Sequence, residues 1–148
     1  MSAPGQRGPR GRPDLAYADT NLFVALLAGP GHPLHEQALG VFRRVADGGL
    51  GLIVTPIVVA ELVHVARSLF GWTRPVTAQR LGALLEADGL VLTEGPVLAR
   101  ALRLFGERSR LDFADAYLAA CALELGPQAV ASFDADLDTV EGIRRISA

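Results

Sequence analysis

The run Leu50–Val54 constrains the fold more than any other segment. It is apolar throughout, Gly48 and Gly49 precede it, and Thr55-Pro56 follows it. A strand with one wet face alternates polar and apolar residues; a strand covered on both faces does not. The run therefore reads as a buried strand of a parallel sheet. Thr55 then offers a hydroxyl cap and Pro56 stands at a first helical position, so a helix begins at once. A strand that feeds directly into a helix is the repeating unit of an α/β fold.

The rest of the chain repeats this alternation. Residues 15–18 form a short apolar stretch that ends at Asp19, the first expected strand, and residues 21–27 a short helix. Pro30 and Pro33 mark a loop. Leu39, Phe42 and Val45 share a helical register over residues 35–45, and Asp47-Gly48-Gly49 stops that helix. The helix opened by Pro56 runs to about residue 70, and another covers residues 75–87. A strand at 89–92 is followed by a helix at 94–108, whose stripe is Leu98, Leu102 and Phe105. A helix at 112–125 ends at Gly126-Pro127, residues 129–133 form the next strand, and residues 143–146 an edge strand. Strands alternating with helices imply a mostly parallel sheet with helices on both faces. Residues 1–13 are rich in Gly, Pro and Arg without periodicity and read as a disordered arm. Residues 14–148 form the domain.

Composition narrows the function. The chain has 148 residues, which suits one domain, and half of them are hydrophobic, which suits a globular one. The apolar runs are too short for a membrane span, and no apolar segment of signal-peptide type follows the basic start. Cys121 is the single cysteine, so no disulfide framework is expected, and with three scattered histidines the spacings of zinc and iron–sulfur sites fail. A cytoplasmic protein is expected. Cys121 itself reads as an inert packing residue. The formal net charge is −2, so attraction of nucleic acid by overall charge is not the basis of function. All fourteen basic residues are arginine, which grips phosphate with two parallel bonds better than lysine does.

The acids carry the chemistry. In open parallel sheets ligands bind beyond the carboxyl ends of the strands. Asp19 ends the first expected strand and Asp134 a late one. Glu61 lies in the helix that leaves the Leu50–Val54 strand, in an apolar setting where a buried carboxylate is costly without a partner. Asp112 and Asp115 stand three apart at a helix start; Asp112 reads mainly as a cap and Asp115 mainly as a site residue. Asp134, Asp136 and Asp138 crowd one loop, with Asp134 the first choice and Asp136 the second. Clustered carboxylates suit Mg²⁺ or Mn²⁺, which take oxygen ligands. A bound ion of this kind activates water and neutralises charge on a phosphate. The bland readings are capping for Asp19, a solvated helix face for Glu61, and solvated loop acids for the last group. Thr20 and Asn21 could add polar groups or act as caps. Phe70 and Trp72, with the Arg67/Arg74 pair, could stack on or grip RNA, or form a hydrophobic interface. No histidine follows a nucleophile motif, so serine- or cysteine-type catalysis finds no support.

These residues resemble those of PIN-domain proteins, especially the VapC-type toxin ribonucleases of VapBC toxin–antitoxin pairs. The resemblance rests on Ala18-Asp19-Thr20-Asn21, Val59-Ala60-Glu61-Leu62, Asp112-Phe113-Ala114-Asp115-Ala116-Tyr117-Leu118-Ala119-Ala120 and Ser132-Phe133-Asp134-Ala135-Asp136-Leu137. It implies a three-layer α/β/α fold with a mostly parallel central sheet and an endoribonuclease that uses Mg²⁺ or Mn²⁺. Asp19, Glu61 and Asp115 match the first three family acids. Asp134 matches the fourth, with Asp136 as the alternate. It also implies an RNA substrate, a homodimer and a cognate antitoxin. The arm is a departure from the compact toxins. The alternative function is a PIN domain that binds RNA without cutting it. A haloacid-dehalogenase-type phosphohydrolase would need a second Asp two residues after Asp19, where Asn21 stands. A receiver domain would need a lysine, and the chain has none.

Overall fold

The computed structural model describes residues 11–147; most of the expected arm, residues 1–10, lies outside them. The chain divides into two compact units. One runs to Val65 and includes Leu84–Thr93; the other comprises Ala66–Ala83 and the chain from Glu94 onward.

The first unit holds a three-stranded parallel sheet. Its strands are β1 (Asp14–Tyr17), β2 (Leu50–Val54) and β3 (Leu90–Leu92), in the order β1-β2-β3. Tyr17 lies opposite Ile53, and Ile53 opposite Val91. Leu50, Leu52 and Val54 alternate with Ile53 along β2 and are buried, whereas Leu15, Tyr17 and Val91 are exposed. Helices α1 (Thr20–Ala28) and α2 (His35–Ala46) follow β1, and α3 (Pro56–Ser68) leaves β2. The buried His35 donates from Nδ1 to the Ala25 carbonyl at 2.8 Å, and Phe23 meets Phe42 at 5.6 Å, so an aromatic contact and a polar one both fasten α2 to α1. Gly89 has a backbone angle φ of +88°, and a Cβ there would meet Val45 Cγ1 at 2.5 Å. Only glycine satisfies both demands at this entrance to β3.

The second unit is built around a helix pair. It contains α4 (Arg74–Leu85) up to Ala83, then α5 (Gly95–Glu107), α6 (Phe113–Leu125), β4 (Ala129–Ala131), a 3-10 helix (Ala135–Thr139) and β5 (Arg144–Ile146). Leu98, Ala101 and Leu102 of α5 and Ala116, Ala119 and Ala120 of α6 are buried. Three alanines on one side of α6 let the helix axes approach closely. Tyr117 of α6 donates its hydroxyl to Glu94 Oε1 at 2.6 Å, at the N-cap position of α5. That bond and burial push the Tyr117 hydroxyl well above its usual range. At the start of α4, Arg74 donates from Nε to the Arg108 carbonyl at 3.0 Å and from Nη2 to the Leu111 carbonyl. Its guanidinium lies 4.0 Å from the centre of the Phe105 ring. Arg74 therefore holds the connection between α5 and α6; it is not poised to grip RNA, as its pairing with Arg67 suggested. The sequence hid this because a half-buried arginine bonded to carbonyls leaves no periodic signature.

The α/β class and the parallel pairing are borne out, and every expected helix and strand is present to within about two residues, the usual uncertainty of element ends. The strands hydrogen-bond as two groups, β1-β2-β3 and β4-β5. The 3-10 helix falls where only a loop of acids was expected. Among the described residues no helix is long and apolar enough to cross a membrane.

Two outcomes follow. Gly89→Ala should lower stability by about 1–3 kcal/mol through strain and overlap with Val45, read as a lower urea midpoint at unchanged slope. An unchanged midpoint would mean the turn adapts freely. Arg74→Met keeps the stem but orphans two carbonyls, and should cost about 2–3 kcal/mol by the same measurement; a loss below about 0.5 kcal/mol would show that the guanidinium is dispensable.

Candidate active site

In the second unit the acids gather at the start of α6 and the turn after β4. Asp112 is the N-cap of α6, with extended backbone, and its Oδ1 accepts the Asp115 N–H at 2.9 Å. This is the capping role expected of it. It also fixes the first turn from which Asp115 projects. Asp115 is half-buried, and its carboxyl is pushed up to about 6. Burial is the first cause; a hydrogen bond with the Asp134 side chain is the second, and the charges of Asp112 and Asp134 add to it. Asp115 and Asp134 thus meet, although eighteen intervening residues separate them in the chain.

The turn that carries Asp134 is held on both sides. The Asp134 N–H donates to Ser132 Oγ at 3.0 Å, and Asp134 Oδ1 accepts the Asp136 N–H at 2.9 Å, capping the 3-10 helix. Arg145 of β5 grips Asp138 with two bonds of 2.9 and 3.1 Å and donates to the Ser132 carbonyl at 3.1 Å. Arg145 holds the Asp138 carboxyl below its usual range. Asp138 is thereby a structural ion pair. Asp136, the alternate fourth acid, supplies the backbone donor that Asp134 caps. Arg145 did not stand out in the sequence, and Ser132 did so only as part of the Ser132–Leu137 motif. The Ser-x-Asp spacing was a usable sign of the turn, whereas the reach of Arg145 was not.

In the first unit, Asp19 directly follows the end of β1, where Ala18 still donates to the Ile53 carbonyl at 2.9 Å. It occupies the N-cap position of α1 with extended backbone, yet its side chain makes no capping hydrogen bond. The bland reading of Asp19 as a side-chain cap therefore fails, and its carboxylate is exposed. Thr20 is buried and Asn21 exposed. Glu61 is exposed on α3, on the side shared with Ile57, Ala60 and His64. Glu61 is not buried, as its apolar neighbours suggested: Leu62 and Val63 turn inward while Glu61 lies on the wet face of an otherwise apolar helix.

Asp115 and Asp134 offer oxygen donors only, which suits a hard divalent cation and excludes soft metals. Among the described residues no group of three or more His, Cys, Asp or Glu side chains is placed to hold a metal ion. Two carboxylates with water completing the shell is nevertheless a common arrangement for Mg²⁺.

Residues 16–143 match the model of the PIN domain family, which is most of the chain. The chain belongs to the PIN domain family. PIN domains are typically nucleases that bind RNA and generally use divalent metal ions. Neither a curated protein nor a solved structure matches this PIN domain at a significant level.

The raised Asp115 carboxyl has a consequence for stability. Folding lifts it from 3.8 to about 6, so the folded PIN domain binds this proton more tightly than the unfolded chain. The contribution is full below about pH 4 and is lost as pH rises through about 6. In metal-free buffer the wild-type melting temperature should fall across that window relative to Asp115→Asn, by on the order of a few degrees. Parallel curves for the two proteins would show that Asp115 titrates normally.

Proposed function

We propose that this PIN domain is a Mg²⁺- or Mn²⁺-dependent endoribonuclease that hydrolyses RNA phosphodiester bonds. The observation that carries the reading is the pairing of Asp115 with Asp134, two acids distant in sequence and mutually unfavourable without a cation or a proton between them. With both carboxyls ionised such a pair costs the fold stability, so chemistry is the better account of it.

Asp19, Glu61, Asp115 and Asp134 are the proposed metal ligands, with Asp136 as the alternate to Asp134. The exposed, uncapped carboxylate of Asp19 at the end of β1 supports its place in this set. These acids would hold a divalent cation, which would supply an activated water and neutralise charge on the leaving oxygen. The chain's own part is positioning. Asp112 fixes the first turn of α6 under Asp115, while Ser132 and Arg145 hold the turn under Asp134. The carboxylates position the reacting groups and form no covalent intermediate.

As part of the same reading, the protein acts in the cytoplasm as the toxin of a type II toxin–antitoxin pair, as a homodimer that a cognate antitoxin restrains. The order and spacing of the four motif segments support this. A second reading is RNA binding without cleavage, which needs the same fold and no metal-dependent turnover.

Cleavage of total cellular RNA with Mg²⁺, Mn²⁺ or EDTA separates the two. Wild type should yield discrete fragments only with metal, and an Asp19→Asn/Asp115→Asn double variant should lose roughly 10²-fold or more of that rate. Bacterial growth should stop on expression of wild type and continue with the variant. Retained binding with no cleavage under any metal would favour the second reading.

A further inference from the structure

The mechanism leaves one cationic and aromatic cluster of the second unit without a role. Phe70 and Trp72 lie between α3 and α4, with ring centroids 5.3 Å apart. Arg67, in the last turn of α3, donates from Nη1 to the Trp72 carbonyl at 2.6 Å, and the Trp72 N–H bonds to the Ala66 carbonyl at 2.9 Å. Arg80, farther along α4, places its guanidinium 4.7 Å from the centre of a Trp72 ring. Arg67 and Arg80 are exposed, while Phe70 and Trp72 are half-buried. Among the described residues the ion pairs are Arg100 with Glu124 and Arg145 with Asp138, so neither Arg67 nor Arg80 is neutralised by a carboxylate.

Two exposed guanidinium groups without a carboxylate partner are free to take an anionic ligand. Their geometry narrows the class. A guanidinium carries five N–H donors in one plane, and Arg67 uses one of its set on the Trp72 carbonyl. Both groups are held by Trp72, one through its backbone and one through its ring, so little side-chain freedom remains to be lost on binding. Planar donors pre-set beside aromatic faces suit a phosphate next to an unstacked base, which is what a single strand presents and a duplex does not. The chain ties the cluster to the start of α6: Trp72 stands two residues before Arg74, whose guanidinium bonds the carbonyl of Leu111, the residue before the Asp112 cap.

We propose that Arg67, Arg80 and Trp72 form a subsite for single-stranded RNA in the same unit as the Asp115–Asp134 pair. The guanidinium groups take backbone phosphates, and the Arg80–Trp72 stack with Phe70 presents a face to one base. The inference deepens the endoribonuclease reading and rests on it for the identity of the polymer.

The test uses the full chain in EDTA and a 2′-O-methyl RNA strand of mixed sequence, about a dozen nucleotides long, which resists cleavage. Trp72 is the chain's only tryptophan, so intrinsic fluorescence reports on the subsite directly. The strand should quench it. Arg67→Ala and Arg80→Ala should each weaken binding roughly tenfold. Each should also reduce the slope of log affinity against log salt by about 0.7. Arg80→Lys, which keeps the charge and guards against misfolding as the explanation, should retain the salt slope but bind more weakly than wild type. Wild-type affinity and slope in all three variants, with metal-dependent cleavage intact, would overturn the subsite and leave the nuclease reading standing. Quenching that the arginine variants reduce, without cleavage under any metal, would support the subsite and overturn the nuclease reading. A changed sedimentation coefficient in the variants with unchanged RNA affinity would assign the cluster to a protein interface and overturn the proposal.

Discussion

The guanidinium of Arg74 organises the second unit. It lies against Phe105 at the end of α5 and donates to the carbonyls of Arg108 and Leu111, which precede the Asp112 cap. A connection between two helices normally leaves such carbonyls to solvent. Here one cation satisfies two of them and sets where α6 begins. Burial lowers the affinity of Arg74 for its proton, and an arginine still stays charged at any physiological pH. The arrangement therefore does not depend on pH, unlike the acids it supports.

Those acids hold charges that the fold alone would separate. Asp112 and Asp138 each have a structural partner, a backbone N–H in one case and Arg145 in the other. Asp115 has a carboxyl neighbour instead of a cation, and its proton affinity rises accordingly. The contrast between Asp138 and Asp115 is informative. Both acids belong to the second unit, yet one is neutralised by an arginine and the other is left facing like charge. A protein evolved only for stability would have neutralised both.

Much of this was legible before any coordinates. The unbroken apolar run of β2 and the Thr55-Pro56 signal marked a parallel sheet feeding a helix, and the period of Leu98, Leu102 and Phe105 marked the buried side of α5. These features repeat along the chain, so a sequence displays them. Asp112 as a cap was readable for the same local reason. Glu61 misled because helical neighbours that are apolar on average say nothing of which way one side chain points. The inward course of Arg74 and the grip of Arg145 on Asp138 were invisible, since each depends on a long side chain meeting a segment far away or around a turn. The separation of the strands into two sheets was also hidden, because apolar runs do not name their partners.

That separation has a kinetic consequence. Ala129 pairs with Arg144 across a connection that holds only the 3-10 helix, and α5 packs on α6 across a brief one, so these contacts close smaller loops than those of the other sheet. Asp14 pairs with Leu50 only after two helices intervene, and Leu52 with Leu90 after two more. Closing a longer loop costs more chain entropy before any contact repays it. During synthesis β1 emerges before β2 and has no partner until β2 arrives, so its backbone N–H and C=O groups stay unpaired meanwhile. The later-made half of the chain is thus the quicker to fold, and the earlier-made half is the one exposed longest to association with other nascent chains.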